Sequence, residues 1–288
     1  MNLLIANIMP HLLIEQDIPY DFSRFLIFLD PQKQDKSYQS RIFKKFPDLS
    51  FLEWKSKEEI YTELSIFLPK LYEENKKKIQ LSLQEYRNSS EKLFGEALDT
   101  LVTIMEHAKP LPESYRAVVT FLPMYPFDPD RRTFCIPVFS DEPSRAIEVA
   151  IHEISHFFYF DWLEANGYEK FLQSKSWELY VAKEMITPIL MRNDLLFEVF
   201  QKRFKANQNI ELFQMTESES LVDYCERCFF TSSEDFSSFA RKMTEFVIRN
   251  AEVLRERKSH GDQAYDTGVS EEEKWRLLEK MGVPMENS

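Results

Sequence analysis

A chain of 288 residues is long enough for one large domain or two small ones, and its formal charge of −12 argues against nucleic acid or an anionic membrane as partner. Three cysteines, an odd number, fit a reducing cytoplasm better than a disulfide framework, and only five glycines beside abundant Glu, Lys, Leu and Phe favour helices. Residues 1–20 hold no Lys or Arg, so no secretory signal is read, and no apolar run approaches the span of a membrane helix.

In chain order, 3–14 and 25–28 read as short strands or buried helical turns, which periodicity alone does not separate. Asp30-Pro31 and Phe46-Pro47-Asp48 mark turns, and the isolated His11 is read as structural. From 53 to 108 the pattern is helical. Ser56 with Glu59 forms a capping box, and Pro69 predicts a break or restart. The run Lys76-Lys77-Lys78 lies on a solvated face of a helix over 71–86. A second helix runs from about 90 to 107, with Leu93, Ala97, Leu101, Ile104 and Met105 on its apolar side and His107 at its end. Lys109-Pro110-Leu111-Pro112 closes this helical N-terminal part, 1–110. The remainder, 111–288, opens with β-rich stretches at 116–123 and 132–139, read as a hairpin or two neighbouring strands whose prolines imply edge positions.

The next segment carries Ile147, Val149, Ala150, Ile151, Ile154, Phe157, Phe158 and Phe160, apolar nearly all round, as in a helix buried within a domain. Asp141-Glu142-Pro143 starts it and Asn166-Gly167 stops it. Within it stand His152, Glu153 and His156, an H-E-x-x-H match. Residues four apart share a helix face, so the two imidazoles can hold one ion, and nitrogen ligands at that spacing suit Zn²⁺. Glu153 sits about 100° round the helix, placed to act as general base toward a metal-acidified water without being a ligand.

This motif resembles that of the zincin metallopeptidases, and the likeness extends no further than the motif. The metzincin extension would require Gly at 159 and His at 162, where this chain has Tyr159 and Trp162. Asp161, still on the helix, points away from the histidine face. The resemblance then implies a gluzincin-like third ligand, a glutamate on a following helix. The helix 176–191 is apolar on almost every face yet contains Glu178 and Glu184, and buried carboxylates are costly unless paired or metal-bound. Glu184 is favoured as third ligand because Thr187-Pro188 is expected to break the helix beside it. Glu178 is the alternative, or a partner for the outer N–H of a ligating histidine, and Glu148, one turn before His152, is a further such candidate. The resemblance also implies an edge strand that holds a peptide extended, for which 132–139 is the candidate, and a late His or Tyr facing the oxyanion, for which His260 and Tyr265 are the candidates.

Downstream, Thr216 with Glu219 and Thr231 with Glu234 read as capping boxes of scaffold helices. Cys225 and Cys228, a lone C-x-x-C without a βαβ context, are read as structural. Ser270 with Glu273 caps a last helix bearing Trp275, Leu277, Leu278 and Met281. The expectation is a mostly helical α+β, zincin-like protein of the cytoplasm. It would hydrolyse peptide or protein substrates with Zn²⁺, without nucleic-acid or membrane partners. The reading set against it is a non-catalytic zincin-fold protein that binds metal in a regulatory role.

Overall fold

The structure is a computed structural model that describes residues 10–32, 36–174, 176–202, 221–229 and 235–252. It is mostly helical with a small mixed sheet of four strands among the described residues. The chain forms two compact units that are not consecutive stretches: Met1–Leu98 with Pro110–Ile154, and Asp99–Lys109 with Ser155–Ser288.

The first unit holds β1 (His11–Glu15), α1 (Ile18–Leu29), α2 (Ser37–Lys45), a 3-10 helix (Pro47–Trp54), α3 (Lys57–Glu74) and most of α4 (Lys76–Ile104). It also holds β2 (Ser114–Thr120), β3 (Phe127–Asp128), β4 (Thr133–Pro137) and the first half of α5 (Ser144–Ala165). The strand order is β1-β2-β4-β3. β2 and β4 are indeed neighbours, but they run parallel, Arg116 opposite Thr133, and are not a hairpin. Both are buried along consecutive residues (Ala117, Val118 and Val119; Phe134, Cys135 and Ile136), as parallel strands covered on both faces should be. Parallel pairing needs a connection of about a dozen residues or more, which 121–132 supplies. β3 lies in that connection and pairs antiparallel with Thr133 and Phe134. The expectation of an edge strand at 132–139 is therefore corrected: β4 lies between β2 and β3, and the Cys135 N–H donates to the Pro126 carbonyl at 2.8 Å.

The helices of this unit differ from the periodicity reading in two places. Pro69 lies inside α3 without breaking it. Proline denies the residue four earlier its helical partner, and here Ser65 is exposed, so water can satisfy that carbonyl. The chain breaks instead at Asn75, whose side-chain amide donates back to the Leu71 carbonyl at 2.8 Å. α4 then runs unbroken through Arg87, Asn88, Ser89 and Ser90, polar residues that are exposed or half-buried and do not terminate it. The Ser56–Glu59 capping box is present in both directions. Lys76, Lys77 and Lys78 are exposed.

Asp21 ties this unit together. It is fully buried in the first turn of α1 and accepts from the Tyr72 hydroxyl of α3 at 2.8 Å and from the Thr120 hydroxyl of β2. The Phe121 N–H approaches at 3.4 Å. Burial pushes its carboxyl up to about 6, against the lowering effect of these donors and of Lys45. A carboxyl raised above its unfolded value favours folding most when protonated. Its contribution is full below about pH 4 and is lost as pH rises to about 6, on the order of 3 kcal/mol. Asp21→Asn keeps a hydrogen-bonding side chain of the same shape but cannot ionise. The expected result is a flatter stability–pH curve between pH 4 and 7 by urea denaturation; an unchanged slope would remove Asp21 as its source.

The second unit holds the rest of α5, then α6 (Glu169–Gln173), α7 (Trp177–Met191), α8 (Asp194–Phe200), α9 (Leu221–Phe229) and α10 (Phe236–Arg249). α5 ends as expected: Gly167 takes φ 82° and the Tyr168 N–H bonds back to Leu163 at 2.9 Å. α7 packs on α9 and α10 and is buried on nearly every face from Glu178 to Met191. Ser176 caps it, accepting from the Leu179 N–H. The expected break at Thr187-Pro188 is absent: α7 continues past Pro188 to Met191, buried on nearly every face. Arg192 donates to Asp223 at 2.6 Å and Glu226 at 2.7 Å, fixing α9 to the end of α7. Tyr159 of α5 shares a hydrogen bond with Thr244 of α10 at 2.8 Å. Cys225 is buried, in keeping with a packing role. No helix among the described residues is long and apolar enough to cross a membrane. The capping boxes at Thr216, Thr231 and Ser270, and the last helix, lie outside the described residues.

Candidate metal centre

α5 brings the motif together. His156 is fully buried, Glu153 is 6% exposed and His152 is half-buried. One ligand atom from each of the three lies within 4.8 Å of the others, a group that could hold a metal ion. Earlier on the helix, Glu148 is buried and accepts from Arg145 at 2.9 Å. Tyr125, half-buried in the connection after β2, has its hydroxyl pushed up by burial and by the charge of Glu153, while Arg145 opposes the shift.

Within the second unit, His156 is held at both ring nitrogens. Nδ1 is 3.0 Å from the Thr187 hydroxyl, which is 2.8 Å from the Ser155 hydroxyl. Nε2 is 3.2 Å from Nζ of Lys183 and 3.7 Å from Oε1 of Glu184. An ammonium can only donate, so Nε2 must be the accepting nitrogen and Nδ1 carries the proton that it gives to Thr187. That tautomer is the one a metal ligand requires, with its outer N–H fixed by a neighbour. Thr187 is placed to orient this ring.

Glu184 ion-pairs with Lys183, and both are almost fully buried. Glu178 is buried on the same helix six residues earlier, about 9 Å along the axis and about 120° round it. Asp161, turned from the motif face, is 3.2 Å from Nζ of Lys109 and 3.8 Å from Nε2 of His107. The His107 ring stacks on Phe158 with centroids 3.8 Å apart. His260 and Tyr265 lie outside the described residues.

Two residues of this centre escaped the sequence reading. Thr187 was treated only as half of a helix break. Lys183 was passed over although it is the single basic residue of α7, set beside a glutamate in an otherwise apolar helix. A lysine in such a run is costly without a buried anion, and that cost is the signal that could have found it.

Comparison with protein-family models, with curated proteins and with solved structures finds no match for this chain.

The donor set itself fits a zinc ion. Two imidazoles and a carboxylate are a known zinc combination, and the 3.7 Å between His156 and Glu184 is close to the spacing of two ligands on one ion. The position facing both already attracts a positive charge, the Lys183 ammonium, which stands in for a cation there.

Proposed function

We propose that this protein is a zinc-dependent hydrolase of peptide bonds, with a gluzincin-like ligand set of His152, His156 and Glu184. The observation that carries the reading is the convergence of His152, Glu153 and His156 on one side of a buried helix. The 3.7 Å from Nε2 of His156 to Oε1 of Glu184 supports Glu184 as third ligand. Zinc bound there would supply a Lewis acid that polarises a carbonyl and acidifies water. Thr187 keeps the proton on Nδ1 of His156 and so keeps Nε2 available. Glu153 takes the proton of the attacking water and delivers it to the leaving nitrogen. Arg145 ion-pairs with Glu148, one turn before His152.

The test is metal content. Protein prepared without added metal should carry one zinc per chain, and His152→Ala and His156→Ala should each lose it, as measured by elemental analysis. Full zinc in both variants would end the reading. A non-catalytic metal-binding protein would behave identically here and is separated by the Glu153 experiment below.

A further inference from the structure

We propose that Lys183 is a built-in counter-cation of this centre, filling the place between His156 and Glu184 in metal-free protein and leaving it when a metal ion enters. The inference rests on the reading of these residues as zinc ligands and concerns how the site is loaded.

The argument is one of exclusion. A neutral imidazole offers one lone pair, and that of His156 points from Nε2 toward Nζ of Lys183 at 3.2 Å. The same ammonium is bound to Glu184, the carboxylate 3.7 Å from that nitrogen. A zinc ion ligated by His156 and Glu184 would need the same lone pair and the same oxygen. Two cations cannot share them at such range, least of all where water is largely excluded. Either the metal or the ammonium occupies the place.

The fold gives both states a seat. Lys183 is about 5% exposed, so its charge is committed to this interior. In the metal-free centre the buried Glu184 carboxylate is paired with the Lys183 ammonium, which supplies positive charge beside it. The ammonium already has a further acceptor at hand, one it can keep as it leaves Glu184. The Tyr180 ring, one turn back on α7, has its centroid 4.9 Å from Nζ, within cation–π range. A swing of one flexible side chain is all the exchange requires. The consequence is a centre whose affinity for zinc is set below that of its bare ligand set, because each binding event must break the Lys183–Glu184 pair.

The experiment titrates zinc alone into metal-stripped wild type, Lys183→Gln and Lys183→Met, followed by calorimetry. Lys183→Gln keeps a hydrogen-bond donor for Glu184 without the charge and guards against a variant that fails to fold. Both variants should bind zinc at least about tenfold more tightly than wild type, the scale of relief expected from removing a buried competing charge. Equal or weaker binding by folded variants would overturn the proposal while leaving the zinc site in place. Absence of zinc binding in wild type and variants alike would instead overturn the metal reading, and this inference with it. Amine acetylation of wild type, mapped by mass spectrometry, gives a measurement free of substitutions. Lys183 should be protected in metal-free protein and modified about tenfold faster when zinc is saturating, as its ion pair is broken. An unchanged rate would count against displacement.

Discussion

Replacing Glu153 by Gln should lower peptide hydrolysis by about 10²–10⁴-fold or more while leaving fold and zinc content intact. Glu153 is 6% exposed, on the same helix as both histidines and within the same group of side chains. Gln has the same shape and can fill the same space, so packing is preserved. It cannot accept and return a proton. Three samples decide the matter in a peptide-library digest: wild type, Glu153→Gln, and wild type treated with a chelator. Cleavage by untreated wild type alone supports a peptidase. Equal cleavage by all three identifies a contaminant. If zinc-loaded wild type cleaves nothing, a peptide-like hydroxamate is the next probe. Binding to the metal would show an open position and a narrow substrate, whereas refusal would mark a closed, structural site and end the hydrolase proposal.

A second large effect is expected at Glu184. In Glu184→Gln the Lys183 ammonium loses the anion that compensates its burial. Removing one member of a buried ion pair typically costs about 3–5 kcal/mol, far more than the pair itself contributes. Metal-free Glu184→Gln should therefore unfold at clearly lower urea, and its zinc affinity should fall well below that of Glu178→Gln. The double variant Lys183→Met with Glu184→Met should recover most of the lost stability, since two apolar side chains replace two charges together. If Glu178→Gln loses more zinc than Glu184→Gln, the third ligand is Glu178. If the double variant is as unstable as the single one, the loss came from packing and not from an uncompensated charge.

The site was legible in the sequence where chemistry and local structure coincide. His152, Glu153 and His156 could be placed on one helix because their spacing, the Asp141-Glu142-Pro143 start and the Asn166-Gly167 stop are all short-range signals. The Ser56 cap was legible for the same reason. What escaped was non-local. Nothing in 116–123 or 132–139 states whether those strands meet parallel or antiparallel, and only the length of the connection hints at it. The junction at Asn75 was missed because proline looked like the stronger punctuation, yet Pro69 lies on an exposed face where its cost is small. Lys183 and Thr187, which meet the two ring nitrogens of His156, are not metal ligands and lie about thirty residues away in sequence, so no short-range signal ties them to the motif.

The parallel pairing of β1 with β2 bears on the order in which the chain assembles. His11 meets Ser114 across about a hundred residues, whereas Arg116 meets Thr133 within a much shorter loop. Closing the longer loop costs more chain entropy and cannot be repaid until α1 to α4 have collected. β2, β4 and the start of α5 can form a local nucleus first, and β1 arrives as a late strand, clamped by Arg116 to Glu15 and Asp17. The segment carrying the H-E-x-x-H motif would then take shape early, while the amino-terminal strand sets the overall folding rate.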